Sequence, residues 1–329
     1  MIELCLTTKE KASKNIYPKN GRLKLIKIMK NFHKKAFSLV ELSMVILIIG
    51  ILIAGVSRGI DLYQDSRLAT ARSLTQNSRV ARIPDLVAWF EATSTKSIDS
   101  LQAIDGKEIS TWFDINPNTT SPKNATQNTA NRKPKYNLKN SLPLINFNGI
   151  VEGQFLNLPN KTIPSGDSSF TIFLVLQIAS SANDGHNDVL VAGKWTESSL
   201  ALMRLIKQNS RFIFQNFSGN YNQALSTVYM AQTSNLPLNQ LNILTARYTN
   251  SPSRLLTAYA NSSQPQSLSV DNARLTAEDF NMIGGNAWAN FEFFGGDIGE
   301  IIIYDRALTD NERKDVEKYL SKKWAIKIS

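Results

Sequence analysis

The sequence predicts a mainly β protein: an antiparallel sandwich preceded by a long N-terminal transmembrane α-helix and closed by a short C-terminal helix. Three observations carry this. An apolar run from Phe37 to Val56 follows a block of basic residues. From about Arg82 onward, short β-rich runs alternate with clusters of Asn, Ser, Pro and Gly. Near the end, Thr309-Asp-Asn-Glu312 has the spacing of a helix capping box, followed by an apolar face at Val316, Tyr319, Leu320 and Trp324.

The 329 residues exceed what one ordinary domain needs, and a hydrophobic fraction of 42% excludes a wholly disordered chain. One cysteine cannot close an intrachain disulfide, and two histidines leave little for a Cys/His metal cage. The net charge of +10 is the one feature that invites nucleic acid. Its location removes that reading. Residues 1–36 hold ten basic side chains against two acidic ones, and the remaining chain is nearly balanced, so no nucleic-acid partner is expected.

The first helix starts behind that basic block. From Phe37 to Ser57 it would be about 31 Å long at about 1.5 Å per residue, enough to cross a bilayer core of about 30 Å. Basic residues such as Lys34 and Lys35 should stay cytoplasmic and send the rest of the chain outward, giving a single pass through the membrane. A cleaved secretory signal fits less well, because its apolar core is shorter and ends in a small-residue site, where this chain has Ser57, Arg58 and Gly59. Val56, Ile60, Tyr63, Ala71 and Leu74 keep a helical step, so one helix of about forty residues should run from Phe37 to near Asn77.

Strands are predicted at 170–177, 211–215, 241–248, 255–259 and 298–304, and residues 116–131 should form a surface loop. The expected division is a leader at 1–36 with a candidate true start at Met29, a membrane and assembly helix at 37–80, and a sandwich at 81–329.

Glu41 is the only ionisable side chain in the apolar run. A carboxylate inside such a span costs on the order of 2.5 to 3.5 kcal/mol on insertion scales, so it should have a partner and a task. The segment Lys34-Lys35-Ala36-Phe37-Ser38-Leu39-Val40-Glu41-Leu42 resembles the processing site of type IV prepilins and of the pseudopilins of type II secretion systems. That resemblance implies cleavage by a prepilin peptidase between Ala36 and Phe37, methylation of the new Phe37 amine, and pairing of Glu41 with the N-terminus of a neighbouring pilin-like subunit in a filament. Two positions depart from the usual pattern. Ala36 stands where Gly is common and is expected to slow cleavage, and Arg58 stands where many members carry a kink-forming proline.

A second resemblance covers roughly residues 82–326. It rests on Asp85-Leu-Val-Ala-Trp-Phe-Glu91, Trp112-Phe-Asp114, Pro143-Leu-Ile-Asn-Phe-Asn-Gly149, Phe155-Leu156 and the closing stretch Phe294 to Thr309. Their order is similar to that in laminin G-like, concanavalin A-like jelly-roll domains, which implies binding of a glycan or a surface protein, often with calcium and no other cofactor. Trp195 and Trp288 then become candidate sugar platforms, and Asn183, Asp184, Asn187 and Asp188 candidate oxygen donors to sugar hydroxyls or calcium. Structural roles compete with each, since a sandwich tryptophan commonly sits in the core and Asn/Asp-rich loops commonly form turns.

Glucanases on this fold need alternate carboxylates on one strand, about 5 to 5.5 Å apart. Glu300 and Asp305 are five positions apart and would face opposite ways on a regular strand. His186 is expected in a polar loop, Gly193-Lys194 lacks the rest of a phosphate loop, and Gly295-Gly296-Asp297-Ile298-Gly299 is expected to make tight turns. No enzyme is expected. The sequence points to a pilin-like or pseudopilin-like subunit, minor or at a filament tip because of its bulky head. The rivals are an anchored lectin-like protein that never polymerises and an anchored glycoside hydrolase.

Overall fold

The computed structural model describes residues 38–329 apart from 140, 150–152, 165–167, 183–185, 193–198, 207–210, 219–226, 234–235, 264, 270–280 and 287–291. The chain divides into two compact units, Met1–Gly55 and Val56–Ser329. Helix α1 (Leu39–Asn77) is continuous, and its second half belongs to the β-rich unit rather than ending short of it.

The strands are β1 (Leu86–Glu91), β2 (Thr111–Trp112), β3 (Ala125–Thr126), β4 (Lys135–Lys139), β5 (Leu142–Asn148) and β6 (Leu156–Leu158). There follow β7 (Phe170–Ile178), β8 (His186–Ala192), β9 (Ser199–Ile206), β10 (Arg211–Ser218), β11 (Thr227–Gln232) and β12 (Asn242–Thr249). The last are β13 (Leu255–Ala260), β14 (Gln266–Ser269), β15 (Asn281–Ile283), β16 (Gly285–Asn286), β17 (Glu292–Phe293) and β18 (Gly295–Tyr304), before helix α2 (Asp310–Trp324). One sheet runs β14-β13-β12-β7-β18-β5-β4 with β1 also on β18, and the other runs β11-β10-β9-β8-β15-β6-β3-β2. Pairing is antiparallel apart from the short contact of β17 with β8. Residues 116–131, expected as plain loop, contribute β3 and a 3-10 turn at Ala130–Arg132.

The sheets meet through interlocking aromatics. Phe170 of β7 meets Phe214 of β10 at 5.6 Å between ring centroids, and Phe90 of β1 meets Trp112 of β2 at 5.7 Å. Outside the first sheet lies a second core, where Trp89, Phe173, Val175 and Ile302 pack against Val316, Leu320 and Trp324 of α2 and against Ala71 of α1. Strand β7 is thus covered on both faces, which is why its sequence is an almost unbroken apolar run.

Strand β18 organises this sheet. It lies beside β7 over most of its length, while its other edge pairs first with β5 (Gly295 to Ile298) and then with β1 (Glu300 to Tyr304). The register shifts between Ile298 and Glu300, where the neighbour changes. That irregularity reverses the alternation of faces, so Ile298 joins Ile301 and Ile303 in the central core, while Glu300 turns to the α2 side with Ile302. The Gly295–Gly299 stretch is therefore strand rather than the tight turns expected from sequence. Its glycines are required by close packing: a Cβ on Gly296 would strike the Gln177 carbonyl, and one on Gly299 would come within 2.8 Å of Trp324.

The capping box of α2 forms as the spacing predicted. Thr309 Oγ1 accepts the Glu312 amide at 3.3 Å, and Glu312 accepts the Thr309 amide at 2.9 Å. Arg306 adds a two-pronged contact to the Glu312 carboxylate at 2.6 and 2.9 Å. The side-chain hydrogen bond from Arg306, with those from Thr309, brings the Glu312 carboxyl down to about 2.

Beneath α2 sits a buried ionic cluster. Lys323 Nζ donates to Glu91 at 2.8 Å and to Glu300 at 2.9 Å, with all three side chains sealed from solvent. Glu300 also accepts the indole N–H groups of Trp89 and Trp324, each at 2.8 Å, and the Tyr319 hydroxyl at 2.7 Å. Burial is the main reason that Tyr319 titrates well above an ordinary tyrosine.

Two measurements follow from these contacts. Lys323→Ala leaves two carboxylates sharing a sealed site without a cation, and is expected to lower stability by about 3–5 kcal/mol in urea unfolding followed by tryptophan fluorescence. Because the Glu312 pKa falls from 4.5 to about 2 on folding, its stabilisation is complete above pH 4.5 and is lost as pH falls toward 2. Glu312→Gln should flatten the acid limb of the stability curve in that window.

Candidate functional site

The amino-terminal site is built around the first turn of α1. Ala36 and Phe37 lie outside the described residues. Glu41 Oε2 accepts the Ser38 amide at 2.8 Å, and Ser38 Oγ accepts the Val40 amide at 3.3 Å. Ser38 and Glu41 thus cap the first turn together, each side chain accepting a backbone amide that has no partner within the helix. The signal S-x-x-E was present in the sequence but hidden inside the processing motif. The carboxylate also sits at the positive end of the helix dipole, where an anion is favoured. Beyond it, Leu39, Met44, Leu47, Ile51 and Ile53 are all exposed, and this helix is long and apolar enough to cross a membrane. An apolar surface on this scale requires lipid or other apolar helices around it.

The second half of α1 is held to the β-rich unit by specific contacts. Arg72 Nε donates to the Thr93 carbonyl at 2.8 Å and Thr75 Oγ1 lies 3.2 Å from the Tyr319 hydroxyl, while Arg79, two residues past the helix, reaches Asp315 at 2.6 Å. The Tyr304 hydroxyl donates to the Val80 carbonyl at 2.9 Å, just past the helix end. Thr75 thereby joins the hydroxyl that also serves Glu300, so the helix is tied into the buried ionic cluster.

The residues expected to meet a sugar or calcium divide into two groups. Trp195, Trp288, Asn183 and Asp184 lie outside the described residues. Asn187 and Asp188 belong to β8 rather than to the polar loop expected from sequence, and both are fully buried. Asn187 Oδ1 accepts the Gly295 amide at 3.3 Å, and Asp188 stands opposite Phe293 in the contact between β8 and β17. Neither oxygen set is presented to a surface ligand, so Asn187 and Asp188 do not fit a solvent-accessible calcium site. Among the described residues no group of three or more His, Cys, Asp or Glu is placed to hold a metal.

The sequence paired Glu300 with Asp305, but the structure pairs Glu300 with Glu91, directly across from it on β1. Two opposed carboxylates are the raw material of glycoside hydrolysis, yet these are clamped by Lys323, Trp89, Trp324 and Tyr319 with no path for a sugar. Asp305 lies past the end of β18 on the surface, its carboxyl raised chiefly by desolvation and secondarily by Asp85. This arrangement makes Glu91 and Glu300 structural.

Two family models match separate parts of the chain. Residues 31–57 match the prokaryotic N-terminal methylation motif. Residues 151–312 match the family described as Concanavalin A-like lectin/glucanases superfamily, the laminin G-like domain expected from sequence. No curated protein matches the chain. Among solved structures, the binding domain of Paraclostridial Mosquitocidal Protein 1 is 15% identical with a TM-score of 0.50, covering 71% of this chain and 52% of that one. Domain 4 of AbnA, a GH43 extracellular arabinanase from Geobacillus stearothermophilus solved in complex with arabinotriose, is 17% identical with a TM-score of 0.47, covering 71% of this chain and 98% of that one. The CBM40 of the Ruminococcus gnavus IT-sialidase, bound to alpha2,3 sialyllactose, is 15% identical with a TM-score of 0.38, covering 46% of this chain and 83% of that one. At these identities the likeness concerns fold. The chain is therefore a pilin-like N-terminal segment joined to a jelly-roll sandwich.

Since Asn187 is an interior acceptor, Asn187→Ala is expected to cost about 1–3 kcal/mol in denaturant unfolding through the unpaired Gly295 amide. An unchanged unfolding midpoint would show that the side chain has no such structural role.

Proposed function

We propose that the chain is a pilin-like or pseudopilin-like subunit, minor or at the tip of a type IV pilus or type II secretion filament, whose head displays a binding domain for a glycan or surface protein. The methylation motif at 31–57, with Glu41 in the first turn of an exposed apolar helix, carries this reading. A prepilin peptidase would cut between Ala36 and Phe37, removing eight units of net positive charge with the leader. The Glu41 carboxylate, already held toward the helix N-terminus by Ser38, would then stand ready for the methylated amine of a neighbouring subunit. In a low-dielectric surrounding such a pairing offsets the cost of the buried charge.

The head is assigned to binding rather than catalysis. The lectin-like family match favours this reading, and the sealed Glu91–Glu300 pair fits it. A bulky globular domain is harder to repeat along a thin fibre, which favours a minor or tip position. The cell-envelope location follows from the same motif: first the inner membrane as a single-pass protein, then the filament outside it. Calcium remains a candidate cofactor for the head, to be tested through the ligand rather than through the described side chains.

Mass spectrometry of the mature protein from peptidase-competent cells should find N-methylated Phe37 at the N-terminus. A chain beginning at Ala36 or earlier defeats the proposal and leaves the non-polymerising anchored lectin. Glu41→Ala should leave cleavage intact and reduce recovery in filaments; normal incorporation would remove the partner role of Glu41. A glycan array probed with and without calcium should show binding without turnover, whereas hydrolysis of a bound glycan would restore the enzyme reading.

A further inference from the structure

A cleft of about 710 Å³ opens on the α2 side of the first sheet, within the unit Val56–Ser329. Its floor is apolar, made by Leu142, Leu144 and Trp324. Exposed Tyr63 lies on one wall with Arg67, and Lys139 and Lys327 also line the space. Gln177, Asn239 and Gln240 add amide groups, and no Asp or Glu is among the lining residues. Its size falls within the ordinary range for a small-ligand site.

The cleft is built from positions that are fixed at a backbone cost. Seven non-glycine residues are described in the left-handed region, and four of them line this cleft: Ser141, Asn239, Asn261 and Ala325. Ala325 is the left-handed C-cap of α2, and Ser141, Asn239 and Asn261 stand in turns whose contacts fix the cleft wall. The enforcing contacts are visible. Asn261 donates to Asn242 Oδ1 at 2.9 Å, Asn242 donates to the Gln240 carbonyl at 2.9 Å, and Asn239 Oδ1 accepts the Ser180 amide at 2.9 Å. The wall carrying Asn239 and Gln240 is thus pre-organised. Lys139 is anchored by Asp297 at 2.5 Å, and Asp297 also accepts from Gln177 at 2.7 Å, so two lining side chains are held from behind by one buried carboxylate.

We infer that this cleft binds a carboxylated saccharide. An exposed tyrosine ring beside an apolar floor suits the C–H face of a pyranose, the amides suit its hydroxyls, and the exposed Lys327 ammonium suits a carboxylate through a charge-assisted hydrogen bond, Lys139 being already paired with Asp297. This inference rests on the glycan-binding reading of the head and gives it a ligand class and a place. The place lies on the first sheet and α1. Because Tyr63 and Arg67 come from α1, the same helix that carries the assembly segment supplies part of the site.

The test uses the detergent-solubilised full chain on a glycan array, followed by titration with trigalacturonate and its methyl ester. Tyr63→Ala and Lys327→Glu serve as variants, since both side chains are exposed and their loss should spare the fold. The expected result is binding of acidic over neutral glycans, weakened about tenfold or more in each variant, weakened by salt, and lost on methyl esterification. Glycan binding that both variants leave unchanged would overturn the cleft and keep the head as a lectin. Equal affinity for trigalacturonate and its ester would overturn the ligand class. No glycan binding at all would remove the lectin reading itself, and the cleft assignment with it.

Discussion

The fold depends on one buried charge. Lys323, at the end of α2, reaches down between two carboxylates that face each other across β1 and β18. Placing charged groups out of water is tolerable only when they are paired and hydrogen-bonded: two indoles and a tyrosine hydroxyl serve Glu300, and Thr93 and Lys323 serve Glu91 Oε2, while Glu91 Oε1 has no partner among the described residues. The elements that meet in this cluster are the first strand of the sandwich, its central strand, the closing helix and, through Thr75, helix α1.

This cluster exists because β18 is irregular. Were its alternation unbroken past Ile298, Glu300 would point into the central core with Ile298, among apolar side chains such as Phe90 and Leu174. The register shift beside Gly299 turns it outward instead, and the absence of a side chain on Gly299 leaves room for Trp324, which donates to it. Asp297, three residues earlier, repeats the pattern on a smaller scale by holding Lys139 and Gln177. The strand thus distributes two buried acids along its outer side, one locking α2 and the other shaping the adjoining cleft.

Much of this was legible in the residues. Strands β7, β10, β12, β13 and β18 stood out because their apolar and β-branched runs are bounded by turn formers, and α2 because its cap and apolar face coincide. The carboxylate of Glu41 was legible as an anomaly of charge in an apolar run. The glycine run of β18 was not, because the need for small residues arises from neighbours distant in sequence, such as the Gln177 carbonyl. Asn187 and Asp188 resembled loop residues because buried polar groups in a strand cannot be distinguished by composition from those in a turn. Lys323 did leave a trace: it falls seven residues after Val316 and four after Tyr319, on the apolar face, where a cation implies a buried partner. Its two acids, however, come from opposite ends of the β domain, and no local pattern joins them.

The membrane-length apolar helix and its capped carboxylate support the proposed role, a subunit that leaves the bilayer by assembling with others. The most direct measurement is the distribution of an epitope-tagged full-length chain between membrane and sheared filament fractions, in cells with and without an active prepilin peptidase. Recovery of the tag with filaments only when the peptidase is active is the predicted result. Retention of the tag in the membrane fraction under both conditions, alongside filaments that assemble normally, would contradict it.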